Sequence, residues 1–289
     1  MRLVVASFAI LAAALACTPR QAAESLVLND VVVRSADIPF GGDARQKLDV
    51  YRQRTTLSPA PVIVFIYGGR WKYGAKRDYL LAGNDLARSG YIVVIPGYRL
   101  FPEQVFPAWV EDGASAIRWT HDNISRFGGD TTRIFVVGHS AGAHTATMLA
   151  LDRHYLRDAG LGDNAVRGFV SLAGPVDTTW TDDDVQQIMG PREQWPSTYP
   201  YNFVDGRNPP LLLLHGTSDS VVSFGNSVRL AELIRSRGGC VRLGLFPGVG
   251  HVKIAAAFAF PTLRIAPVLR SVSAFIDDPV RDSCPVSGS

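Results

Sequence analysis

The sequence predicts a single α/β domain with a mostly parallel central sheet, helices on both faces and one small insertion. Three observations predict it. Short apolar runs recur at residues 61–67, 91–96, 166–172, 211–215 and 240–246, with Val, Ile and Leu dominating them. Continuous apolar runs, rather than alternating ones, mark strands that are buried on both faces. Longer helix-prone segments separate the runs, and strand–helix alternation at this spacing requires crossover connections and hence parallel pairing. Finally, 289 residues with 47% apolar content can bury one large core.

In chain order, residues 25–34 and 47–52 alternate apolar with polar and read as an opening antiparallel pair. The strand at 61–67 runs into Gly68-Gly69-Arg70-Trp71. Residues 78–88 read as a helix stopped by Ser89-Gly90, and the strand at 91–96 leads into a loop, Tyr98 to Glu103. A long helix is expected over 107–127, then Gly128-Gly129-Asp130 before a strand at 134–137 and a helix at 143–151. Beyond the strand at 166–172, a polar and aromatic stretch at 177–208 interrupts the alternation as an insertion. Its Trp180, Trp195, Tyr199 and Tyr201 suit either a roof over a ligand or packing over the core. The strand at 211–215 and a helix at 226–237 precede the last strand. The end, 252–276, is mostly helical with Pro261 and Pro267 kinking or dividing it.

The N-terminus stands apart. Met1-Arg2 is a short positive start, residues 3–16 form an uncharged apolar run too short to span a bilayer comfortably, and Ala14-Leu15-Ala16 fits small-x-small cleavage. A signal peptide over 1–16, a linker over 17–24 and a domain over 25–289 follow, with export to the periplasm, the medium or the envelope as the expected destination. Cys17 directly after that site also resembles a lipobox, although Ala14 stands where Leu is usual. Lipid anchoring and plain secretion both stay open. In an oxidising compartment Cys240 and Cys284 are expected to pair, the alternative being two separate thiols. The net charge of +3, without any run of Lys or Arg, points away from nucleic acid.

Chemistry concentrates at predicted strand ends, where such sheets place their ligand sites. Gly138-His139-Ser140-Ala141-Gly142 fits G-x-S-x-G between an apolar run and a helix. A sharp strand-to-helix turn there exposes the serine hydroxyl and aims helix N-terminal amides at a developing negative charge. Asp219 follows a buried strand in a Ser/Thr-rich loop, where it is either an acid partner or a turn residue. His251, after Gly248-Val249-Gly250, is the histidine in the third position, so the chain order is Ser140, Asp219, His251. Of the other histidines, His139 and His144 flank the serine and His215 is placed to brace the acid loop. Oxyanion donors are expected from Ala141 and from the loop Tyr67-Gly68-Gly69-Arg70-Trp71, whose Tyr67, Gly68 and Trp71 are candidate substrate contacts.

These pieces resemble the bacterial α/β-hydrolase esterases with an H-G-G-type oxyanion loop, related to hormone-sensitive-lipase-like, feruloyl-esterase-like and kynurenine-formamidase-like enzymes. The carrying segments are residues 67–71, Tyr98 to Glu103, Phe106-Pro107-Ala108 with Asp112, the serine pentapeptide, His215 to Asp219, and Gly250-His251. The resemblance implies an α/β-hydrolase fold with a cap insertion and a serine carboxylesterase acting on small or short-chain esters, without metal or other cofactor. It also implies that the amides of Gly69 and Arg70 point inward with that of Ala141. Two positions depart from the pattern: Tyr67 replaces the usual His, and Arg70 occupies a usually small position. An amidase or arylformamidase on the same triad, and a non-catalytic binding protein on the same fold, are the alternatives.

Overall fold

The computed structural model describes residues 31–55, 59–176, 179–281 and 284. The proposed signal peptide, Cys17 and the first residues of the expected opening strand lie outside the described residues. Eight strands form one sheet: β1 (Val32–Pro39), β2 (Lys47–Gln53), β3 (Ala60–Ile66), β4 (Ile92–Pro96), β5 (Gly129–His139), β6 (Gly168–Leu172), β7 (Leu211–Gly216) and β8 (Val241–Phe246). Their order is β1-β2-β4-β3-β5-β6-β7-β8. The first two strands pair antiparallel with each other, and β2 is antiparallel to β4. Every later pair is parallel. Two expectations move here. The opening strand runs on past residue 34 to Pro39, with a register irregularity between Ser35 and Ile38. The strand expected at 134–137 begins already at Gly129, whose N-terminal half is polar and carries no apolar signal.

Eight α-helices accompany the strands among the described residues: α1 (Leu80–Arg88), α2 (Ala108–Asn123), α3 (Ala141–Leu151), α4 (His154–Asp158), α5 (Asp183–Ile188), α6 (Gly225–Ser236), α7 (His251–Ala259) and α8 (Val268–Asp277). The helix expected to reach residue 127 gives way to a 3-10 turn, Ile124–Phe127, closed by Gly128 in the left-handed region. The final helical region splits at a 3-10 turn, Pro261–Leu263, because Pro261 cannot donate into the preceding turn. The short α4 carries too little periodicity to be seen in sequence.

Successive strand residues point to opposite faces, and β3 shows the consequence. Phe65 packs against Phe258 of α7 at 5.8 Å between ring centroids. The side chain of Ile66 lies on the other face, against Gly113 of α2. Phe135 of β5 meets Phe275 of α8 at 6.2 Å, and α8 is the most amphipathic turn sequence of the set, with Val268, Leu269, Val272, Phe275 and Ile276 all inward. Helices therefore cover both sides, and β3, β4, β6 and β7 are buried throughout almost their whole length, as is β5 from Ile134 onward. Cys240 and Cys284 form a disulfide that ties the end of the chain to the start of β8. No helix among the described residues is long and apolar enough to cross a membrane.

Candidate active site

The chain reverses its direction of growth along the sheet at β3, with β4 on one side and β5 on the other. Crevices at such a switch point, outside the carboxyl ends of the strands, are where α/β sheets receive ligands. Ser140 stands there, between β5 and α3, with φ 55° and ψ −119°. A non-glycine residue with positive φ is strained and persists only where its surroundings hold it. The holding is visible: the Ser140 N–H donates to Leu172 O at 3.0 Å, and the His144 N–H donates to Ser140 O at 3.0 Å. Gly142 is required by the same turn. A Cβ there would stand 2.0 Å from the carbonyl oxygen of Ile66, so α3 can lie this close to β3 only without one.

The loop after β7 brings Asp219 to the serine and the loop after β8 brings His251. His251 Nδ1 lies 2.8 Å from Asp219 Oδ2, and His251 Nε2 lies 2.8 Å from Ser140 Oγ. An ionised carboxylate only accepts, so Nδ1 carries the hydrogen and Nε2 is left as an acceptor for the serine hydroxyl. The other carboxylate oxygen, Asp219 Oδ1, accepts the backbone N–H groups of Val221 at 2.9 Å and Val222 at 2.8 Å. Burial raises the Asp219 pKa, but these amides and His251 outweigh it, so the carboxyl is held below its usual value. It stays ionised at neutral pH.

The neighbouring histidines serve this chain. His215 Nε2 donates to Val222 O at 3.0 Å and lies 3.3 Å from Asp219 Oδ2, while its Nδ1 is 2.7 Å from Ser227 Oγ. It braces the acid loop, as its position suggested. Burial lowers its pKa. His139 Nε2 donates to the His251 carbonyl at 3.0 Å, which anchors the first residue of α7 to the strand that carries the serine. Burial, reinforced by the nearby His251, pushes His139 down to about 4.

The glycine loop closes the other side. A Cβ on Gly68 would come within 3.0 Å of Ser140 Cβ, so this loop passes directly over the serine. Gly69 has φ 137°, and Arg70 and Trp71 follow at 53° and 56°. Three consecutive positive φ values, two of them on large side chains, are a local strain. Neither the Gly69 nor the Arg70 amide donates to a backbone acceptor among the described residues. The Ala141 amide, the first of α3, has no partner within its own helix. Trp71 is wedged between Trp109 at 5.7 Å, His144 at 5.1 Å and Trp180 at 5.9 Å, and its carbonyl accepts the Phe101 N–H at 3.0 Å. The Arg70 side chain leaves the loop entirely. Its guanidinium reaches Asp182 at 3.0 Å and Asp184 at 2.5 Å on the insertion.

Two cavities open at Ser140, one of about 260 Å³ that includes Trp71, Ala141 and Trp180, the other of about 510 Å³ that includes Gly68, Gly69 and His251. Gly68 and Trp71 thus border the space beside the serine. Tyr67 does not. It is fully buried, stacked on Tyr79 at 5.1 Å and against Tyr98 at 4.6 Å, and lies behind the loop as packing. The expectation of a substrate contact at Tyr67 is therefore corrected: the residue follows directly on β3, and its ring packs into the core. Of the four insertion aromatics, Trp180 alone lines a cavity at the serine; Tyr199 packs on Trp180 at 5.7 Å, and Trp195 and Tyr201 pack against the core. The Asp182–Asp184 acidic run and the α7 face Val252, Ala255, Ala256, Ala259 went unnoticed in sequence. The second was legible, since small residues recur at helical spacing directly after His251.

A family model named BD-FAE matches residues 48–234, which is more than half of the chain. The chain belongs to the BD-FAE family. The match takes in β2 to α6 and therefore Ser140, Asp219 and the glycine loop, though it ends before His251. Like other proteins, this BD-FAE chain is 28% identical over 241 residues to a probable isoprenylcysteine alpha-carbonyl methylesterase of Arabidopsis thaliana, covering 75% of this chain and 50% of that one. It is 30% identical over 239 residues to esterase LipC of Mycobacterium tuberculosis, covering 73% and 58%. The chain thus spans between half and three fifths of these curated relatives. A solved structure, a truncated form of a carbohydrate esterase from gut microbiota, superposes with a TM-score of 0.74 at 22% identity, covering 87% of this chain and 97% of that one. The fold is that of the α/β-hydrolases.

Proposed function

We propose that this protein is an exported serine carboxylic-ester hydrolase that works through an acyl-enzyme on small or short-chain esters. The observation that carries the reading is the unbroken hydrogen-bond chain Asp219–His251–Ser140 opening onto two cavities. Ser140 Oγ attacks the ester carbonyl carbon while His251 Nε2 takes its proton. Asp219 stabilises the imidazolium that forms. The amides of Gly69, Arg70 and Ala141 receive the oxyanion, each donor being worth about 3–4 kcal/mol in comparable sites. His251 returns the proton to the departing alcohol oxygen, and water then releases the acid by the same steps reversed. The names of the curated relatives, an esterase and a methylesterase, support ester chemistry rather than binding alone.

The test is hydrolysis of p-nitrophenyl acetate and butyrate by the wild type and by Ser140→Ala. The variant is expected to lose roughly 10⁴- to 10⁶-fold in kcat; unchanged turnover sinks the assignment. Running an arylformamide beside the esters reads out the amide alternative directly.

Export is supported by the positive start and apolar run of residues 1–16 and by the Cys240–Cys284 disulfide, a bond that persists in oxidising compartments. The mass of the mature N-terminus checks it, and palmitate labelling separates a lipid anchor at Cys17 from plain secretion. A chain retained at full length inside the cell overturns this part of the proposal.

A further inference from the structure

The two cavities beside Ser140 differ in size, in wall chemistry and in which member of the triad they touch. The larger, about 510 Å³, is walled by Phe65, Tyr79, Ala255, Ala259 and Phe260, and His251 borders it. Its rim carries the exposed apolar side chains of Tyr73 at 59%, Val221 at 62% and Val252 at 73% beside the charged Arg70 and Asp78, and Arg70 and Val221 border both cavities. Exposed apolar side chains beside an apolar cavity mark a surface built to take an apolar group out of water. The smaller, about 260 Å³, has Trp71 and Trp180 at its sides but Thr179, Thr181, Ser223 and Asn226 in its wall, and the Arg70–Asp182 ion pair borders it. Ala141 borders this cavity and His251 does not.

Proton balance assigns the two sides. When the acyl-enzyme forms, the bond between the acyl carbon and the alcohol oxygen breaks, and the bond from Ser140 Oγ to that carbon forms. The proton taken from Oγ by His251 Nε2 must then reach the departing oxygen. That oxygen therefore lies within hydrogen-bond reach of Nε2, on the side of the larger cavity, and the acyl group lies on the other side of Ser140. We propose that the large apolar cavity receives the alcohol portion of the ester and the small, polar-walled cavity the acyl portion, so that the preferred substrates join a short acyl group to a bulky apolar alcohol. This rests on the ester-hydrolase reading above. A long acyl chain would press methylenes onto hydroxyl and amide groups and strip them of water, whereas each alcohol methylene buried in the larger cavity is worth about fourfold in binding.

The test uses two isomeric esters of equal composition, hexyl acetate and ethyl hexanoate, with the full chain. The expected result is a kcat/KM ratio of about tenfold or more in favour of hexyl acetate. A ratio near one or below, with both rates abolished in Ser140→Ala, overturns the assignment and leaves the hydrolase reading standing. Cleavage of neither ester overturns the hydrolase reading, and the assignment falls with it. Ala255→Trp fills the larger cavity and is expected to bring the ratio down to about one, and the smaller filling of Ala255→Leu to lower it part-way; a ratio unmoved in folded Ala255→Trp places the alcohol elsewhere and overturns the proposal. Because the readout is a ratio within one protein sample, partial misfolding does not imitate the result.

Discussion

The triad side and the glycine-loop side of the site are held by different means. Asp219 and the serine turn are fixed from within, by the backbone amides of Val221 and Val222, by carbonyl contacts that leave no room for a Cβ at Gly142, and by the braces of His215 and His139. The glycine loop is strained at Arg70 and Trp71 and is held from without, by aromatic packing around Trp71 and by the Arg70 ion pairs to Asp182 and Asp184, both of which face solvent. The hydrogen-bonded triad sits on the side fixed from within. The wall of the smaller cavity sits on the side fastened to the insertion, where exposed ion pairs contribute little stability and are screened by salt.

The sharpest way to break the rigid side is Asp219→Asn. It leaves the shape intact but removes the charge that orients His251, and kcat for p-nitrophenyl acetate is expected to fall about 10⁴-fold, close to 5.5 kcal/mol of barrier. A fall of tenfold or less would mean the carboxylate is only a turn residue. Gly142→Ala attacks the same side through packing. With the Ile66 oxygen 2.0 Å from the new Cβ, α3 must move off β3, and a stability loss of about 3 kcal/mol or more is expected in urea unfolding. An unchanged midpoint would show that the turn is looser than the contacts imply.

Acid should loosen both sides through buried rings, His139 beneath the triad and His144 against Trp71 and Thr198. His144 is pushed down to about 4 by burial, against which only the hydrogen bond to Thr198 O works, and His139 down to about 4 likewise. The unfolded chain protonates both near 6.5, whereas the folded chain holds them neutral. Stability contributed by their neutrality is therefore complete above about pH 6.5 and is lost as pH falls toward 4, at about 1.4 kcal/mol per pH unit for each ring. Urea midpoints at pH 7, 5.5 and 4.5 measure the slope, and coincident midpoints contradict the buried neutral state. The smallest effect is expected from Asp184→Asn, which cuts one of the two Arg70 pairs on the soft side. Stability should change by less than about 1 kcal/mol. The wild-type dependence of KM on salt should weaken in the variant, and a larger loss of stability would make the latch a structural element rather than a trim on selectivity.

Much of the site was legible because it obeys local rules. The serine turn demands glycines on both sides of it, the strands announce themselves by continuous apolar runs, and the order Ser140, Asp219, His251 follows from the strand ends that carry them. The N-terminal half of β5 was illegible because Asp130 to Arg133 are polar and only partly buried, without the apolar signal that marks a buried strand. Tyr67 misled for a related reason. Its neighbours Gly68 and Gly69 do line the site, but the direction of a side chain just past a strand's end depends on what the neighbouring elements pack against it, and that is not written locally.

The chain by itself therefore pointed to the fold class, to the three residues that hydrogen-bond at the candidate site and to the loop that overhangs the serine, because backbone conformation, burial and chemical type are properties of short segments. Only the tertiary structure decided which cavity touches His251, that Arg70 turns away to the insertion, and that Tyr67 belongs to the core. Those are relations between segments far apart in sequence, set by how strands, helices and the insertion pack, and packing directions cannot be read from residue types alone.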